Sequence, residues 1–302
     1  MSSADLSSLA LLVEYNGTAF SGSQSQGAGA LMPTVQQTVM AAFEALGLAD
    51  VVSSSHFASR TDAGVHAQGQ VMQVRCDVAA IMLRVPDLCL ALNAKLPETI
   101  AVRAVEQVAS EQFNCQHSAK HRWYRYQWFL SKYRSVFTPF NAVREHRSLD
   151  VVAMQEAVDS LVGSHNFQTF QSPSVYKTSA DCTVTHAIIS QPTPSMVLFD
   201  VIANRFVYKM VRNVAAALWQ IGLNPIEHPP SALSQRLQAC NRACSPKSAP
   251  AKGLTLMSIA YRSPDVHEFS SRSLFWTDSL TQLLNKTLMK EFSHDENIFC
   301  QV

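Results

Sequence analysis

Residues 210–222 constrain the fold most, because they predict a helix that is apolar on nearly every side. One helical face is formed by Met210, Val211, Val214, Ala215, Leu218 and Ile221. The opposite face carries Ala216 and Trp219, neither of which is typical of a solvent-facing position. A helix of this kind has to be buried, so the chain needs other elements packed around it.

A single charged residue, Arg212, lies in this apolar helix. A buried guanidinium group is costly unless a carboxylate pairs with it, so Arg212 predicts an acidic partner elsewhere in the chain. In the alternative interpretation, the arginine side chain extends along the helix surface and places its charge in solvent. The helix pattern alone leaves both interpretations open.

A second informative stretch is residues 59–67, Ser-Arg-Thr-Asp-Ala-Gly-Val-His-Ala. Asp62 is followed by Ala63-Gly64, which predicts a tight turn because glycine tolerates backbone angles that other residues avoid. Such a turn can present a carboxylate at the mouth of a cleft, with Arg60 near enough to keep it ionised. The alternative is that Asp62 only caps the turn through its own backbone, which is equally common.

Strand and helix patterns alternate along the rest of the chain. Strands are predicted at residues 9–15, 71–74, 100–108, 122–130 and 197–203. Thr34 and Gln37 form a capping-box pattern that predicts a helix start. Asp150 predicts the start of another helix, with Val151, Met154, Val158, Leu161 and Val162 on one face and Gly163 at its end.

The alternation occurs twice with similar elements, which indicates an α+β chain of two halves. A boundary near residues 106–111 divides the chain into residues 1–108, with the Asp62 turn, and residues 109–262, with Arg212. Residues 263–302 form an extension of unknown role, with a possible short helix at 278–292.

Charge is distributed unevenly. The net charge of +1 and the isoelectric point near 7.7 by themselves argue slightly against a nucleic-acid partner. Between residues 118 and 148, however, the basic residues are Lys120, Arg122, Arg125, Lys132, Arg134, Arg144 and Arg147, against the single acid Glu145. Aromatic residues interleave with them, a mixture that suits RNA phosphates beside stacked bases. The alternative is a strand with one core face and one solvent face.

Several other classes of protein are disfavoured. Residues 1–8 are polar and unlike a secretory signal, and no apolar stretch reaches the length of a membrane span. The chain has seven scattered cysteines, of which only Cys240 and Cys244 are close, so no zinc site is expected. This odd, dispersed set predicts reduced thiols in a cytoplasmic protein. The chain also offers no glycine loop for a phosphate, so neither cofactor nor metal is expected.

Residues 60–67, Arg-Thr-Asp-Ala-Gly-Val-His-Ala, resemble the signature of the TruA family of tRNA pseudouridine synthases. Eight consecutive residues are far more specific than a spaced motif. Further segments resemble the family in the same order, at residues 12–18, 34–37, 92–97, 122–126, 163–167, 206–213 and 253–254 and at Tyr261. The resemblance therefore covers residues 8–262.

The resemblance implies an α+β fold of two related halves, whose mainly antiparallel sheets meet in one central sheet. Helices would pack outside the sheet, and the active cleft would lie between the halves. The implied activity is an isomerase that converts uridine to pseudouridine at positions 38 to 40, in the anticodon arm of tRNA. The family needs no cofactor or metal, and it works as a homodimer whose tRNA spans both subunits.

The family pattern also implies roles for four residues. Asp62 would be the catalytic nucleophile, and Arg212 would pair with it and hold its charge. Tyr124 would lie against the target base, and Arg60 would help to expel the target nucleotide by occupying the space that it leaves. Two histidines are given no catalytic role: His66 would hold the turn, and His165 would cap a loop.

The chain departs from the family pattern at Ser23, where a tryptophan is usual, and at Ser59, where a glycine is usual. Residues 114–116 also lack the usual histidine and arginine. These departures bear on tRNA range and binding strength rather than on the reaction. Two alternatives remain: a catalytically silent tRNA-binding relative, and a hydrolase using Asp62 and His66. The retained Asp62 disfavours the first, and the lack of an evident oxyanion or metal site disfavours the second.

Overall fold

The computed structural model describes residues 7–24, 32–108, 112–137, 139–174 and 179–261 of the 302-residue chain. The strands are β1 Ser7–Tyr15, β2 Val52–Phe57, β3 His66–Cys76, β4 Ile100–Gln107, β5 His121–Leu130, β6 Val143–Glu145, β7 Gly163–Asn166, β8 Asp181–Thr193, β9 Met196–Ala203 and β10 Leu254–Ala260. The α-helices are α1 Val35–Ala45, α2 Val78–Arg84, α3 Leu88–Asn93, α4 Val151–Val158, α5 Met210–Leu223 and α6 Ser231–Gln238. The helix expected at 278–292 lies outside the described residues.

These strands form one ten-stranded sheet in the order β4-β1-β3-β10-β5-β9-β8-β7, with β2 paired to β3 and β6 paired to β5. The pairs are antiparallel except β10 with β3 and β5 with β6. Strand β10 is the last strand of the described part of the chain but lies in the middle of the sheet, where Thr255 pairs with His66. The predicted α+β fold with a mainly antiparallel central sheet is confirmed. Within the described residues, no helix is long and apolar enough to cross a bilayer.

The two predicted helix starts are confirmed by their caps. Thr34 Oγ1 accepts from the backbone N–H of Gln37 at 3.2 Å, and Gln37 Oε1 accepts from the N–H of Thr34 at 2.8 Å. Asp150 accepts from the N–H of Ala153 at 2.9 Å at the start of α4. The inward placement of Val162 is wrong: this side chain is 47% exposed, because α4 has already given way to a 3₁₀ turn at Asp159–Leu161.

Helix α5 is buried as predicted and packs against α4 and β5. Asn213 is fully buried in it, and all its side-chain polar atoms have partners. Its Nδ2 donates to the carbonyl of Phe170 at 2.7 Å and to Ser172 Oγ at 3.2 Å, while its Oδ1 accepts from Ser248 Oγ at 2.6 Å. These bonds hold the first turns of α5 in place, and Arg212 is part of the same turn.

Two arginines of β5 have their guanidinium groups bonded within the protein, which favours the alternative of a strand with a core face over contacts with RNA phosphates. Arg122 is 9% exposed and donates to the backbone carbonyls of Ala119, Asn204 and Gln116 at 2.6 to 3.1 Å. Arg125 forms an ion pair with the buried Asp200 at 2.9 Å, and its guanidinium lies 5.2 Å from the ring centroid of Trp123. Arg122 is therefore closed to a nucleic acid, and the Arg125 side chain, 15% exposed, is held by Asp200.

We therefore expect Arg122→Ala to lower the free energy of unfolding by several kcal/mol, because each stranded buried acceptor costs about 1–3 kcal/mol. Urea denaturation measures this change, with Arg134→Ala, an exposed arginine on the same segment, as the control. The salt dependence of tRNA binding by the folded Arg122 variant should stay unchanged. If the Arg122→Ala variant had wild-type stability and a weaker salt dependence of tRNA binding, Arg122 would be a contact for RNA rather than a structural residue.

Candidate active site

The predicted turn at Asp62 is confirmed. The N–H of Val65 donates to the carbonyl of Asp62 at 3.1 Å, and Gly64 adopts a left-handed φ of +77°. The backbone of Gly17 lies directly against this turn, where a Cβ would overlap the carbonyl of Val65. The N–H of Gly17 also donates to Nδ1 of His66 at 3.1 Å. The turn is thus held by the segment that follows β1.

The residue before the aspartate, Thr61, is fixed from two sides. Its hydroxyl is 2.8 Å from the hydroxyl of Tyr15, at the end of β1. Its N–H donates to Ser23 Oγ at 2.9 Å, and its carbonyl accepts from the N–H of Ser23 at 3.2 Å. Ser23 is fully buried, so the small residue that replaces the usual tryptophan acts here as a clamp on the turn.

A third support, which the sequence reasoning missed, is Gln70 on β3. This fully buried side chain donates from Nε2 to the carbonyl of Ser59 at 2.7 Å and accepts at Oε1 from the N–H of Ser59 at 3.3 Å. It therefore satisfies both backbone groups of the residue that opens the turn segment. The signal that could have found it is a polar residue next to the apolar run Val71-Met72 of a predicted strand.

Arg212 and Asp62 form an ion pair, as expected for a guanidinium in an apolar helix. Arg212 Nη1 lies 2.6 Å from Asp62 Oδ2, and Arg212 Nε donates to the carbonyl of Ala249 at 2.8 Å. The side chains are 14% and 22% exposed, respectively. The interpretation in which Arg212 reaches out to solvent is excluded. Asp62 is held by a fixed cation and still reaches the molecular surface.

Tyr124 lies on β5 and is joined to the turn segment through Ser59. Its hydroxyl is 2.8 Å from Ser59 Oγ, and its ring meets the edge of Phe206 at a centroid distance of 5.1 Å. Burial raises the pKa of Tyr124 to about 12, and the bond with Ser59 offsets only part of that rise. The phenol is therefore protonated at neutral pH. The structure brings Tyr124, Arg212 and Asp62 together from β5, α5 and the turn.

Arg60 is exposed, unlike Arg212. Helix α5 supplies a cation beside Asp62 in the form of Arg212. Arg60 projects from the same turn segment, two residues before Asp62. The four residues named from the sequence thus lie on the turn segment and on two elements, β5 and α5.

His66 and His165 both form hydrogen bonds with backbone groups. His66 is buried, burial lowers its pKa, and its Nδ1 already accepts the N–H of Gly17. A neutral imidazole bonded in this way does not supply the general base that a hydrolase would need. Nε2 of His165 lies 3.0 Å from the carbonyl of Val162. Among the described residues, no group of three or more His, Cys, Asp or Glu is arranged to hold a metal.

Comparisons of the sequence with known proteins find tRNA pseudouridine synthases. A family model described as tRNA pseudouridine synthase matches residues 157–262. A protein of Moorella thermoacetica named tRNA pseudouridine synthase A is 35% identical over 84% of this chain and 99% of its own length. A protein of the same name from Pseudoalteromonas translucida is 34% identical over 84% of this chain and 91% of its own. The similarity thus extends over nearly the whole of these relatives.

A solved structure of an H/ACA RNP bound to a substrate RNA containing 2'-deoxyuridine includes a chain that is 11% identical to this one. The match covers 72% of this chain and 54% of the other, with a TM-score of 0.33. A score at this level carries no statement about fold or function.

Proposed function

This chain belongs to the family of tRNA pseudouridine synthase A, and we propose that it isomerises uridine to pseudouridine at positions 38 to 40 of the tRNA anticodon stem-loop. The observation that carries the proposal is the ion pair between Asp62 and Arg212, at the turn whose sequence matches the family signature. A carboxylate that reaches the surface only in part, beside a fixed cation, is what a nucleophile in this reaction requires.

The reaction breaks an N-glycosidic bond and rejoins the same base to the ribose through carbon. It requires an ionised carboxylate, a surface that retains the detached base, and exclusion of water. We assign the first requirement to Asp62. Arg212 orients the Asp62 carboxylate, because the bond from Arg212 to the carbonyl of Ala249 fixes the guanidinium group itself. Attack on the ribose, attack on the base and removal of a ribose proton all start from this carboxylate.

We assign the holding of the base to Tyr124. Its ring is immobilised by Phe206 at the edge and by Ser59 at the hydroxyl, so little side-chain entropy remains to be lost when a base stacks on it. Arg60 is assigned to expulsion of the target nucleotide. Flipping costs a few kcal/mol, and an exposed cation that enters the vacated space offsets part of that cost.

Ser59 provides a prediction about Tyr124. We expect Ser59→Ala to lower the single-turnover rate by about two- to tenfold, which corresponds to loss of one neutral hydrogen bond of about 0.5–1.5 kcal/mol. Tyr124→Phe removes the other half of the same bond, so the double variant should lose less than the sum of the two single effects. Additive losses would show that the two hydroxyl groups act independently.

We also propose that the protein is a homodimer whose tRNA spans both subunits. With a net charge of only +1, one subunit offers a small basic surface for a long polyanion. Sedimentation of the free protein and of its tRNA complex measures the oligomeric state. A stable monomer that still modifies tRNA would contradict the proposal.

Two further assignments are proposed with it. The strand order supports the division into residues 1–108 and 109–262, since β1, β3 and β4 lie together at one end of the sheet. The dispersed, odd number of cysteines supports a cytoplasmic location.

The decisive test is incubation with unmodified tRNA, followed by mapping of pseudouridine along the product. We expect the modified base at positions 38 to 40 and no change elsewhere. Tight binding of tRNA without any pseudouridine would instead identify a catalytically silent relative. If the protein neither binds nor modifies tRNA, the proposal is wrong.

A further inference from the structure

The connection between β5 and β6 exposes an unusual number of apolar side chains. We call residues 131–137 and 139–142 the aromatic loop. Its exposed members are Tyr133, Val136, Phe137 and Phe140, at 72%, 82%, 91% and 59% exposure. Phe137 is thus almost completely in solvent, where an aromatic ring gains nothing for the fold. Exposed apolar side chains that cluster in this way mark a binding surface.

The aromatic loop is basic as well as apolar. Lys132 and Arg134 are exposed on it, and no acidic residue occurs between Ser131 and Arg144. The ammonium group of Lys132 lies 5.4 Å from the centroid of the Tyr133 ring, so cation and ring already stand side by side. A surface of one charge sign favours an anionic partner over a second copy of itself.

Both ends of the loop are anchored. Arg144 donates from Nη1 to the carbonyls of Ser131 and Lys132 at 3.1 and 3.2 Å. Gln127 donates from Nε2 to the carbonyl of Asn141 at 3.1 Å. The loop therefore projects from the sheet at fixed points, and its exposed rings are displayed by a defined framework.

The loop also reaches the catalytic turn. The ring of Phe140 meets that of His66 at a centroid distance of 5.3 Å and an interplanar angle of 70°. His66 follows Asp62 by four residues and supports the turn through the N–H of Gly17. The loop therefore contacts the start of β3, four residues after Asp62 in sequence.

The structure divides the basic, aromatic stretch of the sequence into two parts. In β5, the cations of Arg122 and Arg125 are used inside the protein. In the aromatic loop, the cations of Lys132 and Arg134 and the rings of Tyr133, Phe137 and Phe140 are exposed to solvent. Of the two parts, the loop is the one whose cations and rings are accessible to a nucleic acid.

We propose that the aromatic loop binds the RNA next to the target uridine, with unpaired bases stacked on Phe137 and Tyr133 and phosphates beside Lys132 and Arg134. Aromatic side chains beside cations are the usual surface for single-stranded nucleic acid, because every base offers a face for stacking. This inference rests on the proposed function. It adds a binding surface that acts on bases outside the reaction itself.

Binding of an unmodified anticodon stem-loop RNA tests the proposal. Phe137→Ser should weaken binding by about fivefold to a hundredfold, the range for loss of one stacked base. The double variant Lys132→Ala/Arg134→Ala should reduce the slope of log K against log salt by about two. The isolated stem-loop should show the same losses as whole tRNA, because the loop lies beside the target.

Matched controls are available on the same protein. Ile226 is 94% exposed, so Ile226→Ser removes an exposed apolar side chain elsewhere. Arg75 is exposed on β3 at about 30 Å from His66, given a rise of about 3.3 Å per residue. Neither Ile226→Ser nor Arg75→Ala should change affinity or salt slope.

Wild-type affinity and slope in both loop variants would overturn the proposal, as would losses that appear only with whole tRNA. If Phe137→Ser instead dissociates a dimer and the RNA still binds normally, the loop is a contact between copies of the chain, which also overturns it. The wild-type protein is assayed for pseudouridine in the same series. A wild-type protein that forms no pseudouridine would contradict the proposed function. If the wild type is active and the loop variants bind RNA normally, only the proposed role of the aromatic loop is contradicted.

Discussion

Asp62→Asn should abolish pseudouridine formation while tRNA binding remains nearly that of the wild type. The amide has almost the size of the carboxylate but is not a nucleophile, so the chemical step is lost and the shape of the site is kept. Its oxygen can still accept from Nη1 of Arg212, which lies 2.6 Å from the carboxylate in the wild type. Single-turnover assays with unmodified tRNA measure the rate, and equilibrium binding measures the affinity.

A second aspartate gives a matched control. Asp50 pairs with Arg84 at 2.8 Å, but both side chains are largely exposed. Asp50→Asn also removes one charge from an Asp–Arg pair, and we expect it to leave turnover unchanged. If Asp62→Asn kept near-normal turnover, Asp62 would not be the nucleophile, and the role of the signature turn would be structural.

The most reliable inference from sequence concerned α5. Its apolar residues surround the helix, so burial followed from hydrophobicity alone, without knowledge of the neighbours. Burial in turn favoured a carboxylate partner for Arg212, which the family resemblance named as Asp62, and the two side chains meet across 150 positions of sequence. The cost of an unpaired buried charge is large enough to make such a contact predictable.

The cations of β5 show the limit of this approach. Arg125 meets Asp200 because the two residues are directly opposite each other in the pairing of β5 with β9. That register depends on the assembled sheet, and one residue of slip would turn every side chain to the other face. Arg122 is bound by three carbonyls from two separate segments, two of them just before β5 and one just after β9. Backbone carbonyls carry no sequence signal, so composition alone suggested an RNA surface.

The supports of the turn at Asp62 were missed for a related reason. Ser23 seemed to be only the loss of a large aromatic side chain, yet its hydroxyl and N–H both bond to Thr61. Gln70 similarly holds Ser59 from β3. Each is a small or neutral polar residue whose role exists only once distant segments meet. Charged residues in apolar surroundings are therefore easier to interpret than hydrogen-bonding residues of the same site.

Arg212→Ala should lower both stability and activity. Removing one member of a buried ion pair costs about 3–5 kcal/mol, because the other charge is left without its partner. Asp62 is 22% exposed, so water compensates in part and we expect a loss of about 3 kcal/mol, at the lower end of that range. The carbonyl of Ala249 also loses its donor. Urea denaturation and single-turnover rates measure the two effects.

Two further variants separate the causes. Arg84→Ala breaks the exposed pair with Asp50, and its loss of stability should be much smaller, with no loss of activity. Arg212→Lys keeps a positive charge near Asp62 but cannot supply the planar pair of donors that reaches Asp62 and Ala249 together. It should therefore recover part of the activity lost in Arg212→Ala while remaining less stable than the wild type. An Arg212→Ala protein with wild-type unfolding and a wild-type rate would show that Asp62 needs no cation from α5.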